Sequence, residues 1–295
     1  MSDAPIDKVM TMEYTNEDVG NIVHLEHVNL QVPDQTLATL FYIVGMGFTR
    51  DPYFNIGVHN MWANVGEQQF HLPVRPAQII HGHIGVVLPD LDSLKERLGA
   101  VEKPLAGTKF GWSIETSHIA VTCPWGNRFR CYAAEPRFGD IALGIPYVEF
   151  LVERGRAAAI ARFYDHALGA PAMTDSGDDG IRARVKIGLS QSLVFCETDE
   201  PSPPYDGHHI AIYVSNFSRP YAFLKDRGLI SEEVRNHQFR FKEIIDPDRD
   251  SRIFQVEHEV RSLHHPMFHR FFVNRNPNES ARRYRRGRDA LIPYS

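Results

Sequence analysis

The sequence predicts an α+β fold made of four consecutive βαβββ units, and three observations carry that prediction. Short runs alternate polar and apolar residues with period two, the pattern of half-buried strands. Two pairs of segments recur along the chain. The helical stretch around Phe41-Tyr42 returns 122 residues later around Phe163-Tyr164, and His83-Ile84-Gly85-Val86-Val87-Leu88 returns 126 residues later as His209-Ile210-Ala211-Ile212-Tyr213-Val214. Repeats at matching offsets point to a duplicated architecture. The composition, 43% hydrophobic and 23% charged over 295 residues, is that of a folded globular chain.

The units follow in order. Unit A (22–74) opens with His27-Val28-Asn29-Leu30-Gln31-Val32. Val28, Leu30 and Val32 form the face that packs under a helix, and His27, Asn29 and Gln31 form a polar face. Pro33-Asp34 then leads into the helix that carries Phe41-Tyr42, read as core packing. Unit B (80–136) starts at His83 and continues through the helix Leu94–Gly99. Unit C (143–200) starts with Tyr147-Val148-Glu149-Phe150-Leu151-Val152 and repeats the Phe-Tyr helix at 163–164. Unit D (207–262) follows the rigid connector Pro201-Ser202-Pro203-Pro204 and starts at His209. Residues 1–21 form a polar lead-in and 274–295 a tail, whose basic run Arg282–Arg288 reads as a solvated end.

Global features narrow the function. A net charge of −5 argues against a broad nucleic-acid surface. No run reaches the ~20 apolar residues of a membrane span. The lead-in lacks the basic start and apolar stretch of a secretory signal. Three cysteines with no CxxC spacing fit a reducing, cytoplasmic setting. The partner expected is therefore a small molecule, with neither nucleic acid nor membrane. Fifteen histidines direct attention to metal chemistry.

The motifs HVNLQVPD, FYIVGMGF, HIGVVLPDLDSL, CPWGNRFRCY, FYDHALGA and HHIAIYV, in this order over 22–262, resemble the vicinal oxygen chelate superfamily of glyoxalases, bleomycin-resistance proteins and type I extradiol dioxygenases. Four units in one chain look most like the extradiol dioxygenases. The resemblance implies two open barrels, units A and B forming one (module 22–140) and units C and D the other (module 141–273). It also implies a divalent metal held at the starts of first strands and on last strands, with Fe(2+) favoured and Zn, Ni or Mn as alternatives. Homo-oligomers occur in such families, so a dimer or larger assembly is the default.

Carried over residue by residue, the first cup holds His27, His71 and His83 as metal ligands. Its fourth position falls on Arg130, which cannot bind a metal but suits a substrate carboxylate or enolate. The second cup offers His209 and Glu257, with Tyr147, Glu149, Val194 or Cys196 at the remaining positions. Neither cup shows the full two-His-one-carboxylate set of an iron(II) dioxygenase. His208, Tyr213 and Arg240 are candidate substrate-handling groups, and Asn29, Gln31 and Gln69 are candidate partners of the ligand imidazoles. His264, His265 and His269 lie on a tail that either covers a cup or lies on the surface. The activity implied is a metal-dependent enzyme that chelates adjacent oxygens of an aromatic or α-oxygenated substrate: first an extradiol-type ring-cleaving dioxygenase, alternatively a glyoxalase- or epimerase-type lyase or isomerase. A metal-free binding protein of the resistance type stays open beside them.

Overall fold

A computed structural model describes residues 14–54, 57, 59–177, 180–234, 237–275, 282 and 290–291. Most of the lead-in and most of the basic run at 282–288 lie outside the described residues. Each unit is a strand, a helix and three strands. Unit A comprises β1 (Ile22–Asn29), α1 (Gln35–Ala38, continuing as a wider coil over Thr39–Gly45), β2 (Thr49–Arg50), β3 (Asn60–Val65) and β4 (Gln68–Pro73). Unit B comprises β5 (Gly82–Val87), α2 (Leu91–Val101), β6 (Gly111–Ile114), β7 (Ile119–Thr122) and β8 (Arg128–Tyr132). Unit C comprises β9 (Gly144–Glu153), α3 (Ala157–Phe163, continuing over Tyr164–Leu168), β10 (Ala172–Gly177), β11 (Gly180–Lys186) and β12 (Ser192–Thr198). Unit D comprises β13 (His209–Val214), α4 (Ser218–Asp226), β14 (Ile230–Val234), β15 (Gln238–Asp246) and β16 (Ser251–Ser262).

Local chemistry sets these elements. The Asp34 carboxylate accepts from the Thr36 and Leu37 amides, and Asp90 accepts from Asp92 and Ser93, so α1 and α2 each start on an aspartate cap. In α1 the ladder widens, and the Met46 amide reaches the Phe41 carbonyl five residues back at 2.8 Å. Unit C widens its helix at the same place, where Gly169 closes it in a left-handed conformation. Phe41, Tyr42, Phe163 and Tyr164 are fully buried, as expected of the core.

The strands form two eight-stranded mixed sheets, ordered β14-β15-β16-β13-β1-β4-β3-β2 and β10-β11-β12-β9-β5-β8-β7-β6. This corrects the expected pairing. Unit A shares its sheet with D, and B shares its sheet with C. β1 runs antiparallel to β13, and β5 antiparallel to β9, at the two sheet centres. The physical reason is that each unit exposes an equivalent first-strand edge, so a repeat in sequence does not say which copies join. Long-range side-chain bonds add to the closure. The Gln191 amide oxygen accepts from the Leu25 amide at 3.0 Å, and Asn21 donates to the carbonyl oxygens of Leu168 and Asn216. Among the described residues no helix is long and apolar enough to cross a membrane.

Candidate metal centre

The exchange of partners decides which histidines meet. β1 brings His27, β4 brings His71 and β13 brings His209 to one point. Their three donor nitrogens all lie within 4.8 Å of one another. The rings of His71 and His209 stand 5.8 and 5.6 Å from that of His27. His27 is 1% exposed and His209 7%. The Nε2 atoms of all three are buried and make no hydrogen bond. Three orphaned imidazole nitrogens in one place would be a costly arrangement with nothing between them. The same arrangement is a nitrogen donor set for a divalent cation.

The neighbours prepare these rings. A bulge in β1, between Leu25 and His27, inserts Glu26 as an extra residue. Consecutive side chains thereby meet, and His27 Nδ1 lies 2.9 Å from Glu26 Oε2. With the carboxylate accepting, Nδ1 carries the proton and Nε2 keeps its lone pair, as in carboxylate–histidine–metal sites. Trp62 of β3 stacks on His71, with centroids 3.9 Å apart and planes 11° apart. Burial, with neighbouring positive groups, depresses the imidazoles: His27 to about 3 against the pull of Glu259, His71 to about 2, and His209 well below its usual range. All three are neutral at pH 7, the form that binds metal.

Strand β16 supplies carboxylates. Glu257 pairs in register with His209, and Glu259 with Ala211. In the other half of the sheet His71 pairs with Asn29, two residues beyond His27. The position equivalent to His71 is therefore Glu259, two beyond His209, rather than the Glu257 that spacing suggested. Glu259 lies 3.7 Å from His209 Nε2, and Glu257 3.8 Å from His209 Nδ1. Arg240 bridges the two carboxylates at 2.8 Å (Glu257) and 2.5 Å (Glu259). Arg261 joins Glu259, at 2.6 Å from Nε, to Glu26. Burial opposes the Arg261 charge, but Glu26 and Glu259 outweigh it and hold the guanidinium protonated. Burial likewise raises the Glu26 carboxyl, with Arg261 pulling the other way.

The remaining expected residues divide. Tyr213 is on the cup face of β13, with its hydroxyl 3.4 Å from Arg261 Nη1 and its ring 5.0 Å from Phe268, and burial raises its phenol. His208 turns away: it bonds Asp206 at 2.7 Å and stacks on Phe150, so it does not reach the three imidazoles. His83 and Arg130 are on β5 and β8 in the other sheet, so neither meets His27 and His71 as expected. His83 is already bonded on both nitrogens, to Glu149 at 2.9 Å and to the Tyr147 hydroxyl at 3.0 Å. Asn29 donates to Gln78, and Gln69 donates to Asp51 and Asn64, so neither is shown bonding the three imidazoles. Glu26 takes that role for His27. Period-two reasoning missed it because the bulge breaks the period.

The segment after β16 folds back over this sheet. Arg270 Nη2 meets the fully buried Asp51 carboxylate at 2.8 Å, and Asn274 bonds Gly66 in both directions at 2.8 and 3.0 Å. His265 stands 6.2 Å from Tyr213 across the rings and is not one of the three converging donors.

Paired βαβββ units around a strand-lined donor cluster define the vicinal oxygen chelate fold. Solved structures agree. A putative dioxygenase from Bacillus subtilis is 13% identical, with a TM-score of 0.55 over 83% of this chain and 86% of that one. Glyoxalase I from Zea mays is 14% identical, with a TM-score of 0.52 over 80% of this chain and 92% of that one. No protein-family model matches the sequence, and no curated protein matches it.

Proposed function

We propose that this chain is a metal-dependent enzyme whose centre is His27, His71 and His209, with Glu259 as the carboxylate. The observation that carries the reading is the convergence of one donor nitrogen from each of three strands, on rings whose buried Nε2 atoms make no hydrogen bond. A divalent metal bound there supplies Lewis acidity and a template for two adjacent substrate oxygens. The chain's own groups do the rest. Glu26 fixes the tautomer of His27, and Trp62 fixes the plane of His71. Arg240 and Lys242 balance the charge of Glu257. Tyr213, kept protonated by burial, has a hydroxyl to donate. The folded-back segment packs Phe268 against the Tyr213 ring. Imidazole donors with a carboxylate suit Fe(2+) among other divalent metals, and with Fe(2+) the reaction proposed is an extradiol-type cleavage of a catechol-like ring. A second reading, a glyoxalase- or epimerase-type proton transfer with Zn, Ni or Mn, draws on one feature: Glu257 stands beside Glu259 and leaves one carboxylate to act as a base. The three free, buried cysteines support a reducing, cytoplasmic location.

The test is anaerobic reconstitution with Fe(2+), followed by oxygen uptake with a panel of catechols. Uptake with ring-cleaved product supports the first reading. Absence of uptake, together with solvent-deuterium exchange into an α-hydroxy carbonyl substrate by the Zn- or Ni-loaded protein, supports the second. Inactivity in both assays would refute the enzyme assignment.

A further inference from the structure

The cup of the other sheet is built on the same plan with different chemistry. Arg130 pairs with Gly85, two beyond His83, as His71 pairs with Asn29, two beyond His27. Val194 pairs with Glu149, two beyond Tyr147, as Glu259 pairs with Ala211, two beyond His209. Register therefore puts His83, Arg130, Tyr147 and Val194 where the first cup has His27, His71, His209 and Glu259. Only His83 is a metal-ligand type in its usual form, and both of its nitrogens are engaged. Tyr147 lies flat across β5, where a Cβ on Gly85 would come within 2.3 Å of its ring, so a glycine is required there. A further bond joins the Tyr147 and Tyr132 hydroxyls at 2.9 Å.

This cup nevertheless keeps a cavity of about 860 Å³, a size suited to a small molecule. Its walls carry Arg130, Arg182, Arg184 and Lys186 against Glu149, together with the rings of Tyr132 and Phe138. Arg182 and Arg184 share one carboxylate, Asp175. Glu149 is taken by His83. Arg130 is half-buried: burial works against its charge, while Tyr147, Glu149 and a side-chain hydrogen bond with Tyr132 favour it. A partly desolvated guanidinium in a concave and net positive wall is suited to an oxyanion held in a two-pronged hydrogen bond. The adjacent aromatic rings suit a flat apolar body.

We propose that this second cup is a metal-free binding site for a small aromatic carboxylate, with Arg130 as its anchor. The inference does not depend on the metal centre and stands if that reading fails. It is tested by titrating the full chain with benzoate in a calorimeter, with inorganic phosphate as a second probe. Saturable benzoate binding is expected. Arg130→Ala weakens it by at least about tenfold, the loss of one charge-assisted pair. Arg130→Lys weakens it as well, because an ammonium does not present the planar fork. Arg184→Ala, at a surface strand, reduces it while leaving the fold intact by circular dichroism. His27→Ala leaves it unchanged. Benzoate that fails to saturate, or binding that survives both Arg130 variants, overturns the proposal. Binding lost in His27→Ala would locate the benzoate at the other cup and also overturn it. Phosphate binding without benzoate binding would refute the aromatic character.

Discussion

Glu26→Gln tests the logic of the metal centre at a residue that touches no metal. Glu26 is 1% exposed, accepts from His27 Nδ1 at 2.9 Å and meets Arg261. Glutamine keeps the size of the side chain and removes the charge. His27 then loses the partner that fixes its tautomer and raises its basicity. Loss of such a partner typically lowers metal affinity 10- to 100-fold, or about 1.4–2.7 kcal/mol. The fold should survive: breaking a buried ion pair costs about 3–5 kcal/mol when one charge is left alone, but Arg261 retains Glu259 at 2.6 Å. Competition with a chromogenic chelator at neutral pH measures the affinity, and thermal unfolding of the metal-free proteins measures stability separately. Unchanged metal affinity in Glu26→Gln, with the variant folded, would refute the claim that His27 binds through Nε2 under the control of Glu26.

Other consequences are open to test. Glu259→Gln should lower metal affinity more than Glu257→Gln, because register makes Glu259 the counterpart of His71; the reverse order in the same chelator assay would restore Glu257. Arg270→Ala leaves Asp51 buried without its cation and should raise hydrogen exchange across 263–275, which mass spectrometry reads; unchanged protection would mean that the pair does not hold the segment down. Tyr164 and His258 share a buried 2.6 Å hydrogen bond, so Tyr164→Phe should cost about 1–3 kcal/mol in denaturant unfolding. Burial depresses His258 to about 3, outweighing the raising effect of its bond to the Val256 carbonyl. Because the unfolded chain takes up that proton first, the stabilisation is complete above about pH 6.5 and is lost as the pH falls toward 3. Denaturant melts across that window should show stability falling with acidification, and a flat profile would contradict the assignment of a neutral His258.

The four units were legible because period-two alternation and the repeated Phe-Tyr helices report on burial within each unit. His27, His71 and His209 were each readable as strand positions facing a cup. Their meeting was not readable, because it depends on the β1–β13 edge, and a duplicated chain offers several equivalent edges. The exchange placed His83 with Tyr147 and Glu149, and replaced it beside His27 by His209. Glu259 was hidden by alternation itself, since Glu257 and Glu259 share a face and only the pairing with β13 separates them. Glu26 was hidden because a bulge leaves no periodic trace. Arg130 was read as a non-ligand from its chemistry alone, and register places it in the other cup.

The central claim is that one divalent metal is held by imidazoles from β1, β4 and β13. Elemental analysis of the protein purified without chelators, set beside His27→Ala, His71→Ala, His209→Ala and His83→Ala, tests it most directly. One metal per chain is expected in the parent protein and in His83→Ala, with loss of that metal in the other three. A parent protein without metal, or metal that departs with His83 while the other three variants retain it, would rule out a centre at His27, His71 and His209.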